Sequence, residues 1–230
     1  MPANIVRDAI EIAVLALPIV IAITFHEAAH GYVARLCGDD TATRLGRVTF
    51  NPLKHIDLFG TILLPVFLLL SHTGILFGYA KPVPVNFAAL KNPRRDMIWV
   101  AAAGPATNIA LAAASTVFLY LALRAGAAPD GAWVTLFLGS LEINLVLAVL
   151  NLLPLPPLDG GRVATGLLPP ALAKPYARIE PYGFVILIGA LFLLPWLGGK
   201  IGLDLNVFGW LVGKPTEWLL HAALRAIGAA

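Results

Sequence analysis

The sequence predicts an all-α polytopic membrane protein, a bundle of about five to six transmembrane or re-entrant segments with a small membrane-associated β element. Three observations carry this. Of the 230 residues, 59% are hydrophobic and only 13% charged, with a mean hydropathy of +0.82, far outside the range of a soluble globular domain. The apolar residues come in runs long enough to cross or enter a bilayer. Lys and Arg gather in some of the intervening polar stretches and are absent from another, which gives the runs a sense across the membrane. Other classes are excluded by the same reading. The net charge of +3 comes without a basic cluster interleaved with aromatic residues, so no nucleic-acid partner is expected. Cys37 is the single cysteine, which rules out an internal disulfide framework.

Met1 to Glu11 is a short polar lead, and the first span runs from Ile12 to Leu36, where Gly38, Asp39 and Asp40 stop it. This run is longer than the core of a signal peptide and has Asp8 and Glu11 in its flank, so it is expected to stay in the protein. Arg44 to Asn51 reads as a short strand, with β-branched and aromatic residues between Gly46 and Pro52. Phe59 to Leu70 is apolar but short and contains Pro65, which suits a re-entrant or weak span. Basic residues on both sides of it (Arg35, Arg44, Arg47 and Lys54 before; Lys81, Lys91, Arg94 and Arg95 after) place its two ends on one face. Gly78 to Asn86, G-Y-A-K-P-V-P-V-N, is extended, because its prolines exclude it from a helix and from a central strand; it reads equally as an edge strand or a rigid connector.

Met97 to Leu123 is the next span, with small residues at Ala101, Ala102, Ala103, Gly104 and Ala106 for close helix approach and Asn108 as polar packing glue. Ala125 to Gly131 holds no Lys or Arg and fits the non-cytoplasmic side. Trp133 to Leu153 crosses back to a Pro-rich break and Arg162. Gly183 to Leu197 is a further span or half-span. Beyond it Lys214, Glu217, His221 and Arg225 recur three or four residues apart as a polar stripe on an apolar helix.

The chemistry lies at the end of the first span, where His26, Glu27 and His30 follow an uncharged run from Ile12 to Phe25. Helical residues four apart share a face about 6 Å from one another, so the two imidazoles can serve one zinc ion. Glu27, one step round the helix, can reach a water at the metal as general base without being a ligand. Ionisable groups inside an apolar span are costly and mark function. A catalytic zinc needs a third protein ligand. Asp159 is the best candidate: it follows Pro154, Pro156 and Pro157, which break the helix, and precedes Gly160 and Gly161. An Asp-Gly turn without a metal is the plain alternative. His55, His72, His221 and Cys37 are the other candidates.

Three motifs together resemble one known family. H-E-A-A-H-G, G-P-A-T-N and N-L-L-P-L-P-P-L-D-G-G-R occur in the order and membrane sense of the site-2 proteases, the intramembrane zinc metalloproteases. N-P-L-K-H-I-D and G-Y-A-K-P-V-P-V-N extend the likeness over most of the chain from His26 to Arg162. The resemblance implies one catalytic zinc held by His26, His30 and Asp159, a water activated by Glu27, and Asn151 holding the substrate or the developing oxyanion. It further implies that the segment after the first span forms the family's membrane-associated β elements.

The expectation is therefore a single membrane-embedded metalloprotease domain over residues 1–230, in a short form without room for a PDZ or CBS domain. It would hydrolyse peptide bonds within or near transmembrane segments of membrane proteins. Its setting would be the cell membrane, multi-pass, with the active site towards the cytoplasmic side. Its partners would be those substrates and the lipid bilayer, with the oligomeric state left open. The rival is a membrane metal transporter or carrier using the same His and Asp ligands, which requires a polar path across the bilayer. A partner-binding pseudo-enzyme is a third reading, and intact Glu27 speaks against it.

Overall fold

A computed structural model describes residues 2–70 and 78–229. The first helix, α1 (Pro2–Leu36), contains Pro18 and is followed by the single turn α2 (Thr41–Arg44). A 3-10 turn at Pro52–Lys54 and a π turn at Leu58–Leu63 lead into α3 (Leu64–Leu70). An extended strap, residues 78–86, then precedes the long α4 (Pro93–Arg124), which is followed by α5 (Ala132–Asn151). The remaining helices are α6 (Asp159–Leu167), α7 (Pro170–Ala177), α8 (Glu180–Ile188), α9 (Leu194–Ile201) and α10 (Lys214–Ala226). Pi turns at Gly189–Leu193 and Gly209–Gly213 lead into α9 and α10.

Four stretches among the described residues are long and apolar enough to cross a membrane: Ala16–Leu36, Pro93–Arg124, Ala132–Asn151 and Glu180–Ile201. The expected five to six counted re-entrant as well as crossing segments, and the two that remain are shorter. The segment around Phe59 to Leu70 has six residues in its π turn and seven in α3. At about 1.5 Å per residue these described residues cover less than a hydrocarbon core of about 30 Å. Helix α10 has 13 residues and is amphipathic. Its Leu219, Leu220, Ala223 and Leu224 pack against Ala112, Leu141 and Leu145, while Lys214, Glu217, His221 and Arg225 stay exposed. The polar stripe read from the sequence is thus present, on the face turned away from the bundle.

Helix α4 is the hub and packs against α1, α5 and α6. Its buried face runs Val100, Gly104, Asn108, Ala112, Ser115 and Leu119, at the three- and four-residue spacing of one helical stripe. Small residues there let the neighbouring backbones come close, and in lipid such close van der Waals packing is what holds helices together. The facing stripe on α1 is Ala22, His26, His30 and Ala34, all buried. The two histidines therefore sit in the seam between α1 and α4 rather than towards lipid.

The expected β element is not formed: no strand occurs among the described residues. Arg44 ends α2, and Arg47 to Asn51 bends back along the strap. The guanidinium of Arg47 donates to the carbonyls of Lys81 (2.8 Å) and Pro82 (3.3 Å), occupying groups that a neighbouring strand would need. Pro82 and Pro84 have no N–H to offer in return. The strap is nevertheless extended and anchored with a two-residue period. The Tyr79 amide donates to Gly60 O (3.0 Å), that of Lys81 to His55 O (2.9 Å) and that of Val83 to Glu27 Oε2 (2.8 Å).

Asp39 fastens the far end of the strap. Its carboxylate accepts from the Asn86 amide (2.7 Å) and from the amide (2.9 Å) and hydroxyl of Thr41. Burial pushes the Asp39 carboxyl up, but these three donors outweigh it and hold the group below the usual carboxylate range. A depressed folded-state value gives stability that is present above the unfolded value of about 3.9 and is lost as pH falls through the folded one. Asp39→Asn should therefore lower the thermal midpoint at pH 7, by the equivalent of about 1–3 kcal/mol. Melting in detergent should show the gap to wild type closing in acid; a gap that holds constant below pH 3 would contradict the assignment.

Candidate metal centre

Helix α1 brings His26 and His30 to one face, and α6 starts at Asp159, whose carboxylate meets them. His26 Nε2 and Asp159 Oδ2 are 3.1 Å apart, His30 Nε2 and Asp159 Oδ2 3.4 Å, and the two Nε2 atoms 3.1 Å. All three side chains are buried. Their far ends are fixed as well: His26 Nδ1 lies 2.6 Å from Asn108 Oδ1, and His30 Nδ1 lies 2.7 Å from Val100 O. Both partners are oxygens that only accept, so each neutral ring carries its proton on Nδ1 and turns the Nε2 lone pair inward.

With both rings neutral, three lone pairs face one another at 3.1–3.4 Å, and Asp159 Oδ2 is buried. Such a cluster is repulsive unless a cation takes its centre. Donors about 2.0–2.1 Å from a tetrahedral zinc are separated by about 3.3 Å, the spacing seen here. Two imidazoles and a carboxylate are ligands that zinc accepts. The residues present therefore fit a zinc ion.

Gly104 makes room for the pair of rings. A Cβ added there would lie 2.5 Å from His26 Cε1 and from His30 Nε2. Neither ring can swing away without leaving Asn108 or Val100. Gly104→Ala should accordingly weaken zinc binding about ten- to hundredfold, the equivalent of the 1–3 kcal/mol cost of overpacking. Equilibrium dialysis against a buffered zinc series would measure it, and wild-type affinity would show that the rings are free to move. At the start of α6, Gly160 lets Asp159 approach, since a Cβ there would lie 2.3 Å from Leu152 O.

The centre opens on a cavity of about 410 Å³ whose lining includes Glu27, Asn151 and Arg162 among the apolar side chains of Val83, Val85, Phe87, Phe184 and Leu187. Glu27 is half-buried, with one oxygen held by the Val83 amide (2.8 Å). Asn151, at the end of α5, donates to Leu147 O (3.0 Å). Arg162 pairs with Glu180 (3.1 Å) and stacks over Phe87.

All five sequence-predicted site residues thus line one cavity. The other candidate ligands stand apart. His55 is buried with Nε2 on Thr49 O (2.9 Å), and His221 faces Glu217 (3.8 Å) on the exposed side of α10. Cys37 is outside the cluster, and burial, with Asp96 nearby, pushes its thiol up rather than towards a thiolate. His72 lies outside the described residues. Asn108 is more than the packing glue expected of it, since it orients His26; a lone carboxamide in an apolar span was the visible signal. The Val83 amide and Gly104 left no such signal, because a main-chain donor and a missing side chain have meaning only against their neighbours.

Fold and site together define a helical membrane protein, with four helices long and apolar enough to cross a bilayer and a buried His-His-Asp centre of zinc-ligand type. The sequence matches the family model for Peptidase family M50 over residues 14–127 and 119–194, and the chain belongs to that family, the site-2 proteases. It is a membrane metalloprotease. Among curated relatives it is 42% identical to "Putative zinc metalloprotease YwhC" of Bacillus subtilis (strain 168) over 79% of this chain and 80% of the relative. "Putative zinc metalloprotease Rip2" of Mycolicibacterium smegmatis is 34% identical over 71% of this chain and 60% of the relative. Rip2 of Mycobacterium tuberculosis (strain H37Rv) is 32% identical over 78% and 66%. No solved structure matches the chain.

Proposed function

We propose that this protein hydrolyses peptide bonds within or next to transmembrane segments of membrane proteins, as a zinc endopeptidase of the site-2 type, with its active site towards the cytoplasmic side. The observation that carries the reading is the convergence of three buried metal-ligand side chains, His26, His30 and Asp159, beside Glu27 on one cavity. Bound there, zinc supplies Lewis acidity to a water and to a carbonyl oxygen. Glu27 keeps one carboxylate oxygen on the Val83 amide and has the other for that water, from which it takes a proton and to whose attack it gives direction. It then returns the proton to the departing amine nitrogen. Asn151 spends one N–H on Leu147 O and has a second to offer the substrate carbonyl oxygen as it gains charge.

A helical substrate hides its carbonyls in its own hydrogen bonds and must be extended to reach these groups. The side assignment follows from charge. The metal centre lies where α1 ends, α4 begins and α5 ends, close in sequence to Arg35, Arg94, Arg95 and Arg162, whereas the opposite connection, Ala125 to Gly131, carries no Lys or Arg.

The test is reconstitution of the full chain in vesicles with a single-span substrate protein. Cleavage is expected, with loss on adding a zinc chelator and return on adding zinc. Zinc flux into the vesicles without any cleavage would overturn the protease reading in favour of a metal carrier.

A further inference from the structure

Behind the histidines, a line of buried polar side chains leads away from the metal centre through the middle of the bundle. Asn108 on α4 takes the His26 Nδ1–H on its Oδ1 (2.6 Å) and sends its own N–H to Asn144 Oδ1 on α5 (2.9 Å) and, at 3.3 Å, to Ala22 O. Asn144 Nδ2 donates in turn to Ser140 O (2.8 Å), and the hydroxyls of Ser115 and Ser140 meet beyond it (2.8 Å). Asn108 is 0% and Asn144 1% exposed. A carboxamide buried this deeply among apolar helices is costly unless its hydrogen bonds are made. Gluing α4 to α5 would account for that much.

The direction of the bonds accounts for more. Ser140 O can only accept, so Asn144 must turn its nitrogen to it, which leaves Asn144 Oδ1 facing α4. Asn108 answers with its nitrogen and so presents Oδ1 to His26. That oxygen draws the imidazole proton to Nδ1 and leaves the lone pair on Nε2, the atom facing His30 and Asp159. His30 reaches the same state through Val100 O and needs no such line. We infer that Asn144 is a positioning residue for the metal centre: through Asn108 it fixes the tautomer and ring orientation of His26 without touching metal, water or substrate. Partners of this kind, one bond behind a ligand, set metal affinity as well as geometry. The inference rests on the reading of His26, His30 and Asp159 as zinc ligands.

Two measurements on the purified full chain test it. Zinc affinity is read by competition with a chromophoric chelator, and the His26 tautomer by nitrogen chemical shifts of metal-free protein labelled at histidine. Wild type should show His26 protonated on Nδ1. Asn144→Leu should weaken zinc about tenfold and mix the tautomers, with Asn144→Ala standing in if the leucine variant does not fold. Asn108→Leu should cost at least as much. The double variant should be no weaker than Asn108→Leu alone, because Asn144 acts through Asn108. Asn144→Asp, whose carboxylic acid keeps an acceptor for Asn108 and, carrying its proton, a donor for Ser140 O, should stay within about threefold of wild type on the same argument of kept bonds. Ser115→Ala, beyond the carbonyl that sets the direction, should bind zinc as wild type does. Wild-type affinity in Asn144→Leu, equal losses in the Leu and Asp variants, additive losses in the double variant, or His26 protonated on Nε2 in wild type would each overturn the inference. Failure of the wild type to bind zinc would instead overturn the reading of the site, and the metal-free tautomer measurement would still decide the relay.

Discussion

Replacing Glu27 by glutamine should leave zinc in place and lower turnover of a membrane-protein substrate by about 10²–10⁴-fold, the range that proton transfer by a positioned side chain supplies. The two parts of this expectation come from different features. Zinc stays because Glu27 is not one of the three converging donors. The rate falls because the amide that replaces the carboxylate cannot take a proton from water. Glutamine is nearly isosteric and its oxygen can still accept from the Val83 amide, so the strap should keep its place. Metal analysis beside single-turnover cleavage separates the two effects. A variant that cleaves at the wild-type rate would remove Glu27 from the mechanism, and one that loses zinc would make it structural.

Asp159→Ala should act the other way round, abolishing cleavage through loss of the metal. Zinc binding free energies of about 10–16 kcal/mol shared among four ligands put one ligand near 3 kcal/mol, or more than a hundredfold in Kd. A second readout tests the local electrostatics. Zinc at a hundred times its Kd should stabilise the wild type by about 2.7 kcal/mol, and this gain should disappear in the variant. A variant that keeps the full gain would remove Asp159 from the ligand set.

Much of the site was legible because its parts are short-range. His26, Glu27 and His30 need only the helical period to share a face, and the apolar run before them guaranteed the helix. Asp159 was legible through its context of Pro154, Pro156, Pro157 and Gly160, which marks a helix break followed by a close approach. The strand expected at Arg44 to Asn51 was misread for the opposite reason. Its composition suits a strand, but a strand needs a partner edge, and Arg47 and two prolines occupy the one at hand. The place of α10 was not legible either, since its apolar residues could not show that they pack one face against α4 and α5.

By itself, then, the sequence determined the membrane setting, the helical class, the candidate ligand types and the family, because burial in lipid, helical periodicity and ligand chemistry are properties of residues and their immediate neighbours. Only the tertiary structure decided that Gly104 clears space for two imidazoles, that Val83 holds Glu27, and that Asn108 and Asn144 turn a lone pair on His26 inward. Each of these depends on a contact between residues far apart in the chain, and hydrogen-bond direction and steric clearance do not exist until the helices are packed.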